Sequence, residues 1–454
     1  MQQLVVEEMT EGTNTLMYRL NGKYVLYEKL ANTLHQGTFD ELKELKDLAD
    51  SVHYNPLFES TSLKSREHDK LESLLLSLTD NCDLNCGYCI YSGNYTGERT
   101  HGSEVMSWKT AKNALDLAVQ QSDAHQHVLI GFYGGEPLTE AGLLRQIITY
   151  AKDTYLDRQF VFSVTTNFVS ARTNLEYLIK EGIYCMVSLD GPKEVHDNHR
   201  VTKNGKPTYD LILKNLDDLE HLEAGFVRTH IGLNATNHDP EDFGKIVEYL
   251  KTNETSFHVV RMNTTVKKGL KHMPTFSSTN NVYFRYASEY VSAILEGKEP
   301  SSILKHFFDE SVKKVWSRSE LITPETLRLE GCCYPGNRKL FVDTDGSFYM
   351  CEKFGQRVSI GNTEIGIDKR LVNKSINDFT EIRNATCTDG CWAQRMCYPC
   401  IQSAKDPEDE LSVQGLRSMC HSLKQEVITG ISLYISLIQK DPSVVSSYFN
   451  KTNG

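Results

Sequence analysis

The placement of the cysteines constrains this chain more than any other feature. Of twelve, three lie within Cys82–Cys89, one is isolated at Cys185, and eight fall between Cys332 and Cys420. The start, Met1 to Glu8, has neither a basic segment nor a long apolar run, so no signal peptide is visible. In a reducing cytoplasm, close-set cysteines bind metal or do redox chemistry more often than they form disulfides. Cys82, Cys86 and Cys89 share one short stretch directly behind an apolar run. Three thiolates there can take three irons of a cubane. Such clusters normally use four cysteines, so one iron is left open to another molecule. Zinc is the plainer alternative, but a lone CxxxCxxC lacks a fourth partner nearby.

Composition narrows the classes further. A net charge of −11 argues against a dedicated nucleic-acid binder. The 39% hydrophobic and 24% charged content is that of a globular protein, and 454 residues allow about three domains. The most apolar late run, Ile428 to Ile438, is short and broken by Thr429, Gly430, Ser432 and Ser436, well under the ~18 residues of a membrane span. The expectation is a cytoplasmic enzyme with no membrane and no nucleic-acid partner.

Periodicity sets the fold class. Leu16–Leu20 and Lys23–Tyr27 flank Asn21-Gly22, a two-residue hairpin signal, and a helix follows over Phe39–Leu48. Glu59–Lys70 reads as a linker. From Leu74 to Met262 apolar runs alternate with amphipathic helical stretches. Repeated strand–helix units imply a parallel sheet with crossover helices, open or closed into a barrel, with chemistry at the C-terminal strand ends. The expected class is α/β. Residues 1–70 form an N-terminal extension, 71–264 a partial barrel, and 265–330 a helical bridge that opens on a loop over 264–282. A cysteine-rich domain with few long periodic stretches covers 331–421, and a C-terminal helix from about Ser422 lies in 422–454. Cys185, inside a strand, reads as a buried apolar residue.

Three motifs then fall in order on successive strand ends: Cys82-Asp83-Leu84-Asn85-Cys86-Gly87-Tyr88-Cys89, Gly134-Gly135-Glu136-Pro137, and Ser188-Leu189-Asp190-Gly191-Pro192 with His196-Asp197 and Arg200. Together they resemble the radical S-adenosylmethionine (SAM) superfamily and its peptide- and protein-modifying members. The resemblance implies a partial (β/α)6 barrel and a [4Fe-4S] cluster on Cys82, Cys86 and Cys89 whose open iron chelates SAM. One-electron reduction would cleave SAM to a 5′-deoxyadenosyl radical that abstracts hydrogen from an unactivated carbon. It further implies that Gly134 and Gly135 let backbone approach the ligand and that Glu136 accepts from its amino group. Tyr88 would line the adenine, Asn167 and Ser188 would reach ribose or carboxylate, and Arg200 would pair with the carboxylate.

Later, Cys333 and Cys351 bracket Gly346 as CX12GX4C, followed by Cys387, Cys391, Cys397, Cys400 and Cys420. Over residues 331–421 this is similar to the SPASM domain, which carries two auxiliary iron–sulfur clusters. Inner spacings of 3, 5, 2 replace the usual 2, 5, 3. The resemblance assigns Cys351 and Cys400, with Cys332 or Cys333, to the first auxiliary cluster, and Cys387, Cys391, Cys397 and Cys420 to the second. That makes three [4Fe-4S] clusters. Two zinc ribbons are the alternative, since spacing does not identify the metal. Glu352 stands where sulfatase-maturing relatives carry an aspartate proposed as base.

The implied function is maturation of a ribosomally made peptide, of the thioether-forming sactipeptide or ranthipeptide type. The N-terminal extension is similar in outline to a leader-peptide recognition domain. The implied partners are a precursor peptide with its leader and an external one-electron reductant of flavodoxin or ferredoxin type. An anaerobic sulfatase-maturing enzyme that makes formylglycine is the runner-up, and a carbon–carbon crosslinking maturase is a close variant.

Overall fold

A computed structural model describes residues 4–64, 70–95, 97–264, 281–331, 333–387 and 390–452. The Asn21-Gly22 turn forms as expected, with both residues at positive φ (51° and 84°), as a hairpin turn of this length requires. It joins β2 (Thr15–Leu20) to β3 (Lys23–Glu28), and β1 (Val6–Glu11) and β4 (Thr33–Gly37) extend the pair to an antiparallel sheet of order β1-β2-β3-β4. The following helix runs over Phe39–Ser51. Thr38 and Glu41 close a reciprocal cap at its start.

Alternation gives this sheet two buried faces. Met17 and Leu26 pack on Leu42 of the helix, while Leu16, Tyr18, Val25 and Tyr27 join the main core. The Tyr18 hydroxyl meets Ser432 Oγ at 2.9 Å. The stretch read as a linker begins instead inside β5 (Leu57–Glu59), which pairs in parallel with β12 (Thr326–Arg328). Residues 65–69 of that reading, and 265–280 of the loop expected over 264–282, lie outside the described residues.

The expected α/β core is present. Strands β6 (Ser73–Thr79), β7 (Val128–Gly134), β8 (Phe160–Thr166), β9 (Tyr184–Ser188), β10 (Ile231–Asn237) and β11 (Val259–Thr264) lie side by side in sequence order, all parallel. Helices connect them. Leu74, Leu76 and Leu78 on one face of β6 and Ser77 on the other are fully buried, as befits a strand covered on both faces, and so is Cys185.

The sheet does not stop at β6. β13 (Lys339–Val342) pairs with it in parallel, and β14 (Ser347–Tyr349), β15 (Gly361–Asn362) and β16 (Gly366–Ile367) follow antiparallel, making ten strands in all. The cysteine-rich region holds more regular structure than its composition suggests: a 19-residue helix covers Lys369–Cys387. The last long helix begins at Val413, well before Ser422, and carries Cys420 within it to Ile438. A further short helix, Val444–Thr452, follows. Among the described residues no helix is long and apolar enough to cross a membrane.

Candidate active site

The loop after β6 carries the first three cysteines, and the segment behind the third motif braces it. Asn85 N–H donates to the Val201 carbonyl (2.8 Å) and Gly87 N–H to that of His199 (3.1 Å). Cys82 and Cys86 are buried and Cys89 is half-buried. Desolvation pushes the Cys82 thiol up to about 12 and that of Cys86 up to about 11, the latter opposed by Arg200. Each sulfur faces one nitrogen from a different element. Asn167 Nδ2 is 3.8 Å from Cys82, Arg200 Nη1 is 3.8 Å from Cys86, and His101 Nε2 is 3.6 Å from Cys89. His101 Nδ1 faces the Asp80 carbonyl at 3.1 Å, so it donates there and Nε2 is left as an acceptor toward Cys89. Two buried thiols and a half-buried third, two of the three facing N–H donors, fit an iron–sulfur cluster, whose sulfurs are tuned by such contacts.

The glycines of the second motif serve this loop directly. Gly134 has φ +131°, and a Cβ on it would stand 2.4 Å from the Thr79 carbonyl oxygen; one on Gly135 would stand 2.1 Å from that of Asn81. Gly135 N–H donates to the Thr79 carbonyl (2.6 Å) and Glu136 N–H to that of Asn81 (2.8 Å). The close approach that these glycines permit is therefore to the chain's own backbone. Glu136 is buried, and its carboxylate accepts from Thr166 Oγ (2.7 Å), Asn167 N–H (2.7 Å) and Leu138 N–H (3.0 Å). Burial lifts it to about 7 against these bonds. Asn167 donates to Asp83 (2.6 Å). Ser188, at the end of β9, is buried, and among the described residues its hydroxyl has no hydrogen bond to the chain, which leaves it open to a ligand.

The third motif contains a residue that the sequence reading quoted but did not single out. Asp190 is fully buried. Its Oδ1 accepts from Thr236 N–H (2.9 Å), and its Oδ2 accepts from Arg200 Nε (3.0 Å) and the Tyr88 hydroxyl. Arg200, expected to meet a ligand carboxylate, thus has Asp190 as its partner within the chain. Tyr88 lies among His199, His238 and the Arg200 guanidinium. His196 braces the turn: Nδ1 accepts from Asp190 N–H (3.2 Å), and Nε2 meets Thr208 Oγ (3.0 Å), whose own proton goes to the Arg200 carbonyl. Burial lowers its pKa to about 4.

Tyr133 on β7 meets the Phe341 ring of β13 edge-on, with centroids 6.2 Å apart, and so ties the strand of the second motif to the C-terminal region. Glu352 is ion-paired with Lys339 of β13 at 2.5 Å. A second tie, also missed from sequence, is the buried pair Arg99–Asp343 (2.6 Å), with the guanidinium between Phe341 and Tyr349 at 4.5 Å from each ring.

The later cysteines lie in the C-terminal region. Cys351 is half-buried and feels Cys400, which is exposed. Cys333 is exposed, and Cys332 lies outside the described residues. Cys387, Cys391, Cys397 and Cys420 act on one another electrostatically, and Arg383 Nη1 is 3.8 Å from Cys397 Sγ. Burial pushes Cys387 up to about 12 and Cys397 up to about 11. Among the described residues no three His, Cys, Asp or Glu side chains converge on a single ion.

Comparison with known proteins agrees with this geometry. The sequence profile of the Radical SAM superfamily matches residues 76–250. An uncharacterized protein of Methanocaldococcus jannaschii is 30% identical over 215 residues, 47% of this chain and 71% of that one. A cysteine-type anaerobic sulfatase-maturating enzyme of Clostridium novyi is 24% identical over 356 residues, 71% of this chain and 87% of its own. Among solved structures, native anSMEcpe with bound AdoMet shares the fold, with a TM-score of 0.58 and 18% identity over 80% of this chain and 98% of that one. The chain therefore belongs to the radical SAM superfamily.

Proposed function

We propose that the chain matures a ribosomally made precursor peptide by joining a cysteine sulfur to a carbon of the same peptide. The observation that carries this reading is the N-terminal sheet. Among the described residues its outer strands β1 and β4 each pair on one side only, and an extended leader can add a strand to such an edge. When bound, SAM and its cluster supply one-electron cleavage and hydrogen-atom abstraction from an unactivated carbon.

The chain's residues do the rest. Cys82, Cys86 and Cys89 would hold the first cluster, with Arg200, Asn167 and His101 set against their sulfurs. Tyr88, Glu136, Asn167, Ser188 and Arg200 would shape the SAM pocket. The auxiliary clusters would rest on Cys351, Cys400 and Cys332 or Cys333, and on Cys387, Cys391, Cys397 and Cys420. Forming a thioether removes one hydrogen atom from carbon, which the SAM-derived radical would take, one proton from sulfur, and one further electron, for which the auxiliary cluster on Cys387, Cys391, Cys397 and Cys420 would be the acceptor. Glu352, ion-paired with Lys339, would take the thiol proton.

A second reading, formylglycine formation in a sulfatase, is favoured by the match to the Clostridium novyi enzyme over 87% of its length. One anaerobic experiment separates the two. Reconstituted enzyme, SAM and reductant are incubated with a cysteine-containing peptide encoded beside the gene, and separately with a sulfatase-derived peptide. The thioether reading predicts loss of two hydrogens from the first peptide and a cysteine that no longer alkylates. An aldehyde trapped by hydrazide on the second peptide, with the first unchanged, would overturn it.

A further inference from the structure

Arg383 lies on the helix Lys369–Cys387, one turn before Cys387 and on the same face. It is buried, and among the described residues it forms no ion pair with a carboxylate. Its Nη1 is 3.8 Å from Cys397 Sγ and its Nη2 donates to the Cys397 carbonyl (3.2 Å), while Nε has no hydrogen-bond partner among the described residues. The Phe58 ring covers one face of the guanidinium, 4.1 Å from its central carbon. Strand β5, which carries Phe58, is pinned there by Asn384. Phe58 N–H donates to Asn384 Oδ1 (2.7 Å), and Asn384 Nδ2 donates to the Phe58 carbonyl (3.2 Å). A guanidinium keeps its proton in a protein, so it cannot escape the cost of burial by becoming neutral. The carbonyl and the ring face offset part of that cost. Of the groups touching it, only Cys397 Sγ can carry a full negative charge, as the thiolate that binds a metal.

We propose that Arg383 is the buried counter-ion of the second auxiliary cluster and raises its reduction potential through Cys397, with β5 of the N-terminal extension closing the site over it. This rests on reading Cys387, Cys391, Cys397 and Cys420 as the ligands of a [4Fe-4S] cluster. A cubane on four thiolates is already anionic and gains one more negative charge on taking an electron. A fixed cation and an N–H facing a ligand sulfur both favour that reduced form, and more so where water is excluded. A higher potential makes the cluster a better acceptor for the electron that thioether formation releases. Arg383 is thus a positioning residue that acts through a cluster ligand.

The test is a mediated redox titration of the reconstituted full-length enzyme with dithionite, read by electron paramagnetic resonance. Cys420→Ala identifies the signal by its loss, together with a matching loss of iron. Arg383→Met should move that midpoint to lower potential by at least a tenfold drop in the reduced-to-oxidised ratio at fixed poise, ~59 mV for one electron. Arg383→Lys, which keeps the charge, should recover most of the shift. An unmoved midpoint in folded Arg383→Met, with the signal still lost in Cys420→Ala, overturns the counter-ion role. If Arg383→Met does not fold, the native arginine decides the matter. Cys86→Ala enzyme, which lacks the first cluster and with it the contact of Arg200, is labelled with the heavy nitrogen isotope in its arginine guanidinium groups. Electron–nuclear double resonance on the reduced second cluster should then show a coupling to that nitrogen, and its absence overturns the proposal. Full iron and an intact signal in Cys420→Ala would instead overturn the cluster reading on which it rests.

Discussion

At the scale of single residues, the hydrogen bonds around His196 fix its protonation. Nδ1 accepts a backbone N–H, and Nε2 must donate because the Thr208 hydroxyl proton is already committed. Protonation would turn Nδ1 into a second donor facing Asp190 N–H. Its pKa falls from 6.5 to about 4 on burial, so its contribution to stability is complete above about 6.5 and is lost as pH falls toward 4, on the order of 3 kcal/mol. His196→Gln should be less stable than wild type at pH 7.5, with the gap narrowing between pH 6.5 and 4; denaturant titrations across that range check it. Asp190→Asn leaves Arg200 buried without its carboxylate, a change that costs about 3–5 kcal/mol. The loss should be smaller after cluster reconstitution, because the guanidinium then keeps an anion at Cys86. Sequence located the motif holding both residues, but not that Asp190 would tie Tyr88, Arg200 and β10 together, since that needs strands whose adjacency only folding creates. Glu352 is similar. Its position was legible, but its pairing with Lys339 was not.

At the scale of elements, Gly135 shows why the second motif tolerates no side chain. A Cβ there meets the Asn81 oxygen at 2.1 Å and its carbonyl carbon at 2.5 Å, and backbone cannot swing aside as a side-chain tip would. Gly135→Ala must part β7 from the cysteine loop, at about 1–3 kcal/mol. After reconstitution, its iron content should fall to that of Cys86→Ala, measured colorimetrically. The six parallel strands of residues 73–264 and the helices over Trp108–Gln121, Ala141–Thr154 and Tyr209–Leu222 were legible because each buries a regular apolar pattern. The helix over Lys369–Cys387 was not, although Val372, Ile376, Phe379 and Ile382 are buried at helical spacing. Its exposed face is polar, and the surrounding cysteines drew attention to spacing instead of period.

At the scale of the whole molecule, the N-terminal sheet is fastened to the C-terminal region at many points. Arg395 donates to the carbonyls of Lys29 (3.0 Å), Leu30 (2.7 Å), Ile322 (2.7 Å) and Ser319 (3.3 Å), and Gln394 donates to that of Pro56 (2.7 Å). Arg395→Met leaves several buried acceptors unsatisfied at about 1–3 kcal/mol each. Hydrogen exchange should then speed up in β2 and β3 more than in β7 and β8, as measured by mass spectrometry. Such contacts span more than 360 positions, so no local pattern announces them.

The pairing of β13 with β6 has a practical result. A protein cut near residue 330 would not yield two independent cassettes. The front piece would bare the flank of β6, a ready template for strand-to-strand aggregation, and the rear piece would lose the neighbour that sets the register of β13. Anyone grafting this C-terminal region onto another barrel has to match a seam four residue pairs long, Lys339–Val342 against Ser73–Leu76. The two halves can be exchanged only between hosts whose first barrel strand ends in the same place.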